Sequence, residues 1–179
     1  MARDVVDAAL GRRDAGRRPS RTKELPLVGA AARSEIEQIA DSLVQPLRDA
    51  AAARGETRAP WPPRVARRLV DRHGRQAVDV MALAHDLDMV APVGLAVEHL
   101  EDEVVWAVRH ELALTLDDVL SRRMRLAQEL PDRGASIAPR AADILADELG
   151  WSAQRREREI AAYLATARRE YGVPRSRLE

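Results

Sequence analysis

Four histidines, His73, His85, His99 and His110, are the side chains best suited to bind a metal or move a proton near neutral pH. Their separations in sequence are too large for a local metal motif. His110-Glu111 begins like the HExxH of a zinc protease, but Leu114 stands where the second histidine belongs, so no ligand pair forms. His110 therefore reads as a local cap or pairing partner near a helix end. Glu101, Asp102 and Glu103 resemble paired carboxylates. Neighbours on a helix point about 100° apart, so they do not share one substrate. Arg122 and Arg123 are the pair with most chemical reach, suited to a phosphate-bearing ligand or to the face of another domain. The structural alternative is closer at hand: Asp118 lies four residues before Arg122 on the same helical face, and Arg123 can reach Glu111 across a turn. No Ser/His/Asp arrangement is legible. Gly11, Gly16 and Arg17 imitate the outline of a phosphate loop, but its Lys and Ser/Thr are missing and no strand precedes it.

The elements that must position these groups are two helices joined by a tight turn, over residues 101 to 125. In the first, Leu100, Val104, Val108 and Leu112 recur every fourth residue and fall on one helical face. Leu114 and Thr115 break the pattern. Thr115 is placed to cap the second helix, with its hydroxyl accepting from a backbone N–H, and Asp118 sits where the acid of a capping box belongs. Asp117 and Asp118 favour the positive end of the helix dipole, and Leu114 with Val119 suits a hydrophobic staple.

Around this centre the chain reads as helical throughout. Ser34 and Glu37 form a capping box before Ile36, Ile39, Ala40, Leu43 and Leu47, with Pro46 expected to kink or restart the helix. Trp61-Pro62-Pro63 opens a helix stopped by Gly74. A third runs from about Arg75 to Asp88, and Ala91-Pro92-Val93-Gly94 breaks it from the central pair. Pro139 starts a helix closed by Gly150. Ser152 caps the last one, whose stripe is Ile160, Tyr163, Leu164, Ala167 and Tyr171, with Gly172 and Pro174 ending it. No segment sustains strand alternation. The expected fold is all-α, a compact bundle of short helices over residues 34–179. Residues 1–33 precede it as an N-terminal helix with Val5, Val6, Ala9 and Leu10 on one face, then a basic linker from 11 to 33 carrying Arg12, Arg13, Arg17, Arg18 and Arg21.

Composition narrows the function classes. With 179 residues the chain can bury one good core. Its net charge of +0 supplies no global field to recruit nucleic acid. Lys23 is the sole lysine among 29 basic residues, and phenylalanine is absent, so the core must be aliphatic. No cysteine is present for disulfides or thiolate sites. No apolar run approaches the roughly 18 residues of a membrane span, and the N-terminus lacks a signal-peptide core. The chain reads as soluble and cytoplasmic.

His110-Glu111, then Thr115-Leu116-Asp117-Asp118-Val119-Leu120, then Arg122-Arg123 resembles the signature of a known helical domain. It is the C-terminal domain of FAD-dependent (quinone-linked) glycerol-3-phosphate dehydrogenases. Pro26-Leu27-Val28-Gly29, Leu69-Val70-x-Arg72-His73-Gly74 and Leu149-Gly150-Trp151 are similar in order and spacing, while Met124 stands where Thr is usual. The resemblance implies that residues 1–10 correspond to the last helix of a flavin domain that is missing here. It also implies an intact enzyme that moves hydride from C2 of glycerol 3-phosphate to FAD, gives dihydroxyacetone phosphate and passes electrons to a quinone, or to oxygen in an aerobic variant. FAD, substrate and phosphate ligands lie outside this chain, so no catalytic, cofactor or metal residue is assigned; the structural or interface candidates are His110, Glu111, Thr115, Asp118, Arg122 and Arg123. The partner implied is the flavin domain, and the full-length enzyme would sit against the inner face of the cytoplasmic membrane. Two other classes compete. A free-standing helical interaction module would need no flavin domain. A DNA-binding helix-turn-helix at 101–125 is opposed by the zero net charge and by the acidic start of its second helix.

Overall fold

The computed structural model describes residues 2–15, 21–56, 60–86, 89, 92–93 and 96–172. They fall into two compact units, Met1–Ala30 and Ala31–Glu179. The first holds helix α1 (Ala2–Ala15), which continues past the expected end and turns at Gly11, where φ is 72°. Val5, Val6, Leu25, Leu27 and Val28 are exposed. Gly16, Arg17 and Arg18 of the basic stretch, with Leu87, Asp88, Ala91, Gly94 and Pro174, lie outside the described residues.

The second unit is all-α but for one small ribbon. Its elements are α2 (Arg33–Ala53), α3 (Pro62–His73), α4 (Ala77–Asp86), β1 (Pro92–Val93), β2 (Ala96–Leu100), α5 (Asp102–Glu111), a π-helical stretch (Asp118–Arg123), α6 (Leu126–Glu129), α7 (Ala138–Leu149) and α8 (Ala153–Tyr171). Two apolar clusters fill it. One joins α2, α3 and α4 through Leu47, Trp61, Val65, Leu69 and Val80, and the other joins α7 and α8 to the π-helical stretch through Leu116, Leu120, Met124, Ile144, Leu145 and Tyr163. Helix α5 serves both. Val104, Val105 and Ala107 belong to the second cluster and Trp106 to the first. Each fully buried aliphatic contributes roughly 1.5–3 kcal/mol, and that burial is what holds α5 between the clusters.

Local signals set several helix ends. Pro139 lies in the first turn of α7, Gly150 closes it at φ 64°, and Ser152 Oγ accepts from Arg155 N at 3.3 Å. Gly134 is required twice over, by φ 76° and because a Cβ there would come within 2.9 Å of the Tyr163 hydroxyl.

Other sequence expectations need correction. The box before α2 is not Ser34–Glu37: the cap is Ala32, whose N–H donates to Glu35 Oε2 at 2.7 Å. Arg75 grips the same carboxylate at 2.7 and 2.8 Å, an anchor 40 residues away that no local pattern contains. Helix α2 passes through Pro46 without a restart. Leu100 ends β2 and Leu112 is 83% exposed at φ 58°, so the four-residue stripe breaks at both ends. The chain closes α5 through Leu112 instead, with Ala113 N–H donating to Ala107 O at 3.0 Å. β1 and β2 pair antiparallel, which the helical reading did not contain.

Candidate arginine-lined site

One cleft of about 860 Å³ gathers charged side chains from five elements. Arg68, Asp71 and Arg72 come from α3, since residues three and four apart share a helical face. His99 comes from β2, His110 and Glu111 from the end of α5, and Arg122 and Arg123 from the π-helical stretch. Arg125 and Glu129 complete the wall.

The floor is a buried ion pair. Arg68 bonds through Nη2 to Glu103 and through Nε to the Glu98 carbonyl, and Leu100 N–H donates to Glu103 Oε1 at 2.8 Å. Burial opposes ionisation of Glu103 most strongly, but the Arg68 charge, the His73 ring, the Arg68 hydrogen bond and the His99 charge together outweigh it and hold the carboxyl at about 2. His99 Nε2 lies 3.0 Å from Glu129 Oε2. Burial, then the Arg68 charge, lowers the His99 pKa against the pull of Glu103 and Glu129. Trp106 stacks on His110 at 4.0 Å between ring centres and meets the His73 ring edge-on at 6.0 Å. This aromatic contact fixes the end of α5, and with it Glu111.

Above the floor the pairing is incomplete. Glu111 is approached by Arg72 at 3.8 Å, by His73 at 3.9 Å and by Arg123 at 3.9 Å. None of these is a hydrogen bond at such a distance. Nε of Arg72 and Nε of Arg123 are both buried with no acceptor among the described residues. Burial lowers the Arg72 pKa, opposed by Glu103 and Glu111.

Of the sequence candidates, His110, Glu111, Arg122 and Arg123 are brought to this cleft, whereas Thr115 and Asp118 sit in the turn beside it. Thr115 Oγ1 accepts from Asp118 N at 3.1 Å, and Asp118 Oδ2 accepts from Thr115 N at 3.1 Å and from Leu114 N at 3.2 Å. Burial pushes the Asp118 carboxyl up, but the Thr115 hydroxyl, the Leu114 amide and Arg122 leave it below its ordinary value. Arg122 holds Asp118 at 2.7 Å and Asp117 at 2.8 Å. The π winding explains the double grip, because its i→i+5 pattern, seen in Met124 N to Val119 O at 2.8 Å, aligns residues five apart. Leu114 remains 57% exposed, so its side chain gives little to a staple.

Sequence reasoning missed Arg68, Arg72, His99, Arg125 and Glu129 as cleft residues, and Glu103 as its floor. The available signal was Leu69-Val70-x-Arg72-His73-Gly74, whose Arg72 the fold brings against the central pair. The adjacent acids separate: Glu101 takes Arg140, Glu103 takes Arg68, and Asp102 is fully buried. Chemically the cleft can bind and orient an anion. No group of three metal-ligating side chains occurs among the described residues.

Comparison with known proteins gives a consistent picture. Residues 20–156 match the family described as the C-terminal domain of alpha-glycerophosphate oxidase. A glycerol-3-phosphate dehydrogenase of Mycobacterium leprae is 37% identical over 171 residues, 95% of this chain and 27% of that protein. Glycerol-3-phosphate dehydrogenase 2 of Mycobacterium tuberculosis is 35% identical over the same shares of the two chains. A probable mitochondrial glycerol-3-phosphate dehydrogenase of Dictyostelium discoideum is 30% identical over 99 residues, 55% of this chain and 16% of that one. The chain thus spans about 27% of the length of the mycobacterial relatives. No solved structure matches.

Proposed function

We propose a function from one premise: this chain belongs to the glycerol-3-phosphate dehydrogenase family, through the C-terminal domain that the family shares with alpha-glycerophosphate oxidase. It is the helical accessory domain of an FAD-dependent enzyme that oxidises glycerol 3-phosphate to dihydroxyacetone phosphate and delivers electrons to a quinone. The domain is not catalytic by itself. It works against a flavin domain that holds cofactor and substrate and rests on the inner face of the cytoplasmic membrane. The observation that carries this reading is the extent of the match, 95% of this chain against 27% of the relative.

FAD does not fit the residues present. Pyrophosphate is usually carried on a helix N-terminus after a strand and a glycine-rich turn. The sequence has no GxGxxG, and the described strands form a two-stranded antiparallel ribbon. The arginine-lined cleft has charge for an anion but no apolar slot for an isoalloxazine ring. No helix among the described residues is long and apolar enough to cross a membrane.

The test is a purified-chain assay. After incubation with FAD and removal of free cofactor, the chain is expected to carry no flavin absorbance and to reduce no dye with glycerol 3-phosphate. Mixed with the remaining portion of the Mycobacterium leprae relative, loaded with FAD, it is expected to co-elute. Stoichiometric flavin or genuine turnover from the chain alone would sink the reading, as would the absence of any complex with that portion.

A further inference from the structure

We propose that the cleft between α3 and the stretch from Glu111 to Arg125 is a binding site for a small tetrahedral oxyanion of the phosphate class, held by Arg72, Arg123 and Arg125. Five arginines and three carboxylates line it. Arg68 is engaged by Glu103, and Arg122 by Asp117 and Asp118. Asp71 is taken by Arg67 at 3.0 Å, and Glu129 meets His99 at 3.0 Å. What remains is three cations, Arg72, Arg123 and Arg125, none within hydrogen-bond range of a carboxylate among the described residues, with Glu111 the nearest acid to Arg72 and Arg123.

Geometry decides the class of ligand. Arg72 and Arg123 stand 3.8 and 3.9 Å from Glu111, outside hydrogen-bond range, so neither fork is completed by it. A guanidinium is a planar fork that seeks two acceptors in its own plane. These forks arise from different elements, so their acceptors must be spread in space. A carboxylate can satisfy one fork. A tetrahedral oxyanion can meet several. Side-chain exposures of 22% for Arg72 and 25% for Glu111 show partial shelter, where charge attraction exceeds its strength in open water. The oxyanion has two sources, inorganic phosphate and a phosphate monoester. The site is independent of any flavin domain and is read on this chain alone.

The experiment is thermal melting and calorimetric titration of the full chain with sodium phosphate and with glycerol 3-phosphate, against sodium chloride at matched ionic strength and neutral pH. A saturable rise in Tm is expected with the phosphates and not with chloride. Arg123→Gln should weaken binding about tenfold or more, as loss of a charge-assisted hydrogen bond does. Arg109→Gln, away from the cleft, should leave it unchanged. Arg72→Gln is the companion variant, and if it fails to fold, Glu111→Gln supplies a test of opposite sign, because removing the competing carboxylate should tighten binding. Tighter binding of glycerol 3-phosphate assigns the site to a monoester, and equal binding assigns it to the phosphate group alone. An equal response to chloride, unchanged affinity in Arg123→Gln, or no tightening in Glu111→Gln would overturn the proposal.

Discussion

Two sets of arginine–glutamate pairs in this chain behave in opposite ways. On the outer side of α5 and α7, Arg109 grips Glu148 with two bonds of 2.7 Å, and Arg140 grips Glu101 at 2.9 and 2.6 Å. In the cleft, Arg72 and Arg123 face Glu111 at 3.8 and 3.9 Å with no bond. The residue types are the same and the outcomes differ. Where the pairs staple helix to helix, each fork meets both oxygens, and hydrogen bonding leads the rise in the pKa of Arg109 and Arg140. Where the cleft opens, burial instead lowers Arg72. Completed bidentate pairs thus mark structural joints, and sheltered, uncompleted ones mark a surface still able to accept a ligand.

The cleft is most sensitive at its floor. Arg68→Ala leaves Glu103 buried without its cation, and removing one partner of a buried pair costs about 3–5 kcal/mol. Glu103 is held at about 2, below its ordinary 4.5, so the stabilisation it brings is complete above 4.5 and is lost as pH falls towards 2. Denaturant melts should show the largest gap between wild type and variant at neutral pH, narrowing in acid. A gap that widened below pH 4 would contradict this account of the pair.

Asp102 provides the opposite sign from the next position in the chain. It is fully buried, and burial, with Glu103 adding, raises its pKa well above 3.8 against the pull of the Asp102 and Glu103 backbone N–H groups and Arg68. A raised carboxyl favours the fold below its unfolded value and loses that contribution as pH rises through the folded one. Asp102→Asn should therefore stabilise the protein on the order of 1 kcal/mol or more at neutral pH. The advantage should fade towards pH 4. Equal midpoints for both proteins at neutral pH would contradict the raised pKa of Asp102.

These two neighbours show why the fold was more legible than the site. Helix class and several ends depend on residues a few positions apart. Pro139, Gly150 and Ser152 could be read where they stand, and the all-α expectation holds apart from the short ribbon. Glu103 meets Arg68 across 35 residues, and Glu111 lies 39 positions from Arg72, separations over which periodicity carries no information. Leu112 fitted an apolar stripe by spacing, yet the chain uses it as a left-handed stop and leaves it exposed. The π turn at Asp118–Arg123 was equally hidden, because its local residues are ordinary helix formers and its winding is set by packing of Val119 and Leu120 into the core.

A smaller loss of stability is expected at the turn beside the cleft. Thr115 and Asp118 exchange bonds at 3.1 Å, and this cap sets the entry of the stretch that carries Arg122 and Arg123. Thr115→Ala should lower stability by roughly 0.5–2 kcal/mol, while Thr115→Ser should melt like the wild type. An unchanged denaturant midpoint in Thr115→Ala would remove the cap from the account.

The smallest expected effect is also the one that separates bonding from energy. Arg109 has the better geometry of the two sets, but its side chain is 42% exposed. Water screens the pair, and ordering two long side chains offsets much of the attraction, so Arg109→Ala should cost only about 0.2–1 kcal/mol. Added salt should shrink even that, since exposed pairs are screened within about 10 Å at 0.1 M ionic strength. Arg72 makes the contrast. It lacks the bonds but is more sheltered, so Arg72→Met removes a poorly compensated cation and should leave stability equal or slightly higher. Parallel melts of the two variants at low and high salt decide the matter. If Arg72→Met proves as destabilising as Arg68→Ala, the cleft arginines are structural joints and the distinction between the two regions fails.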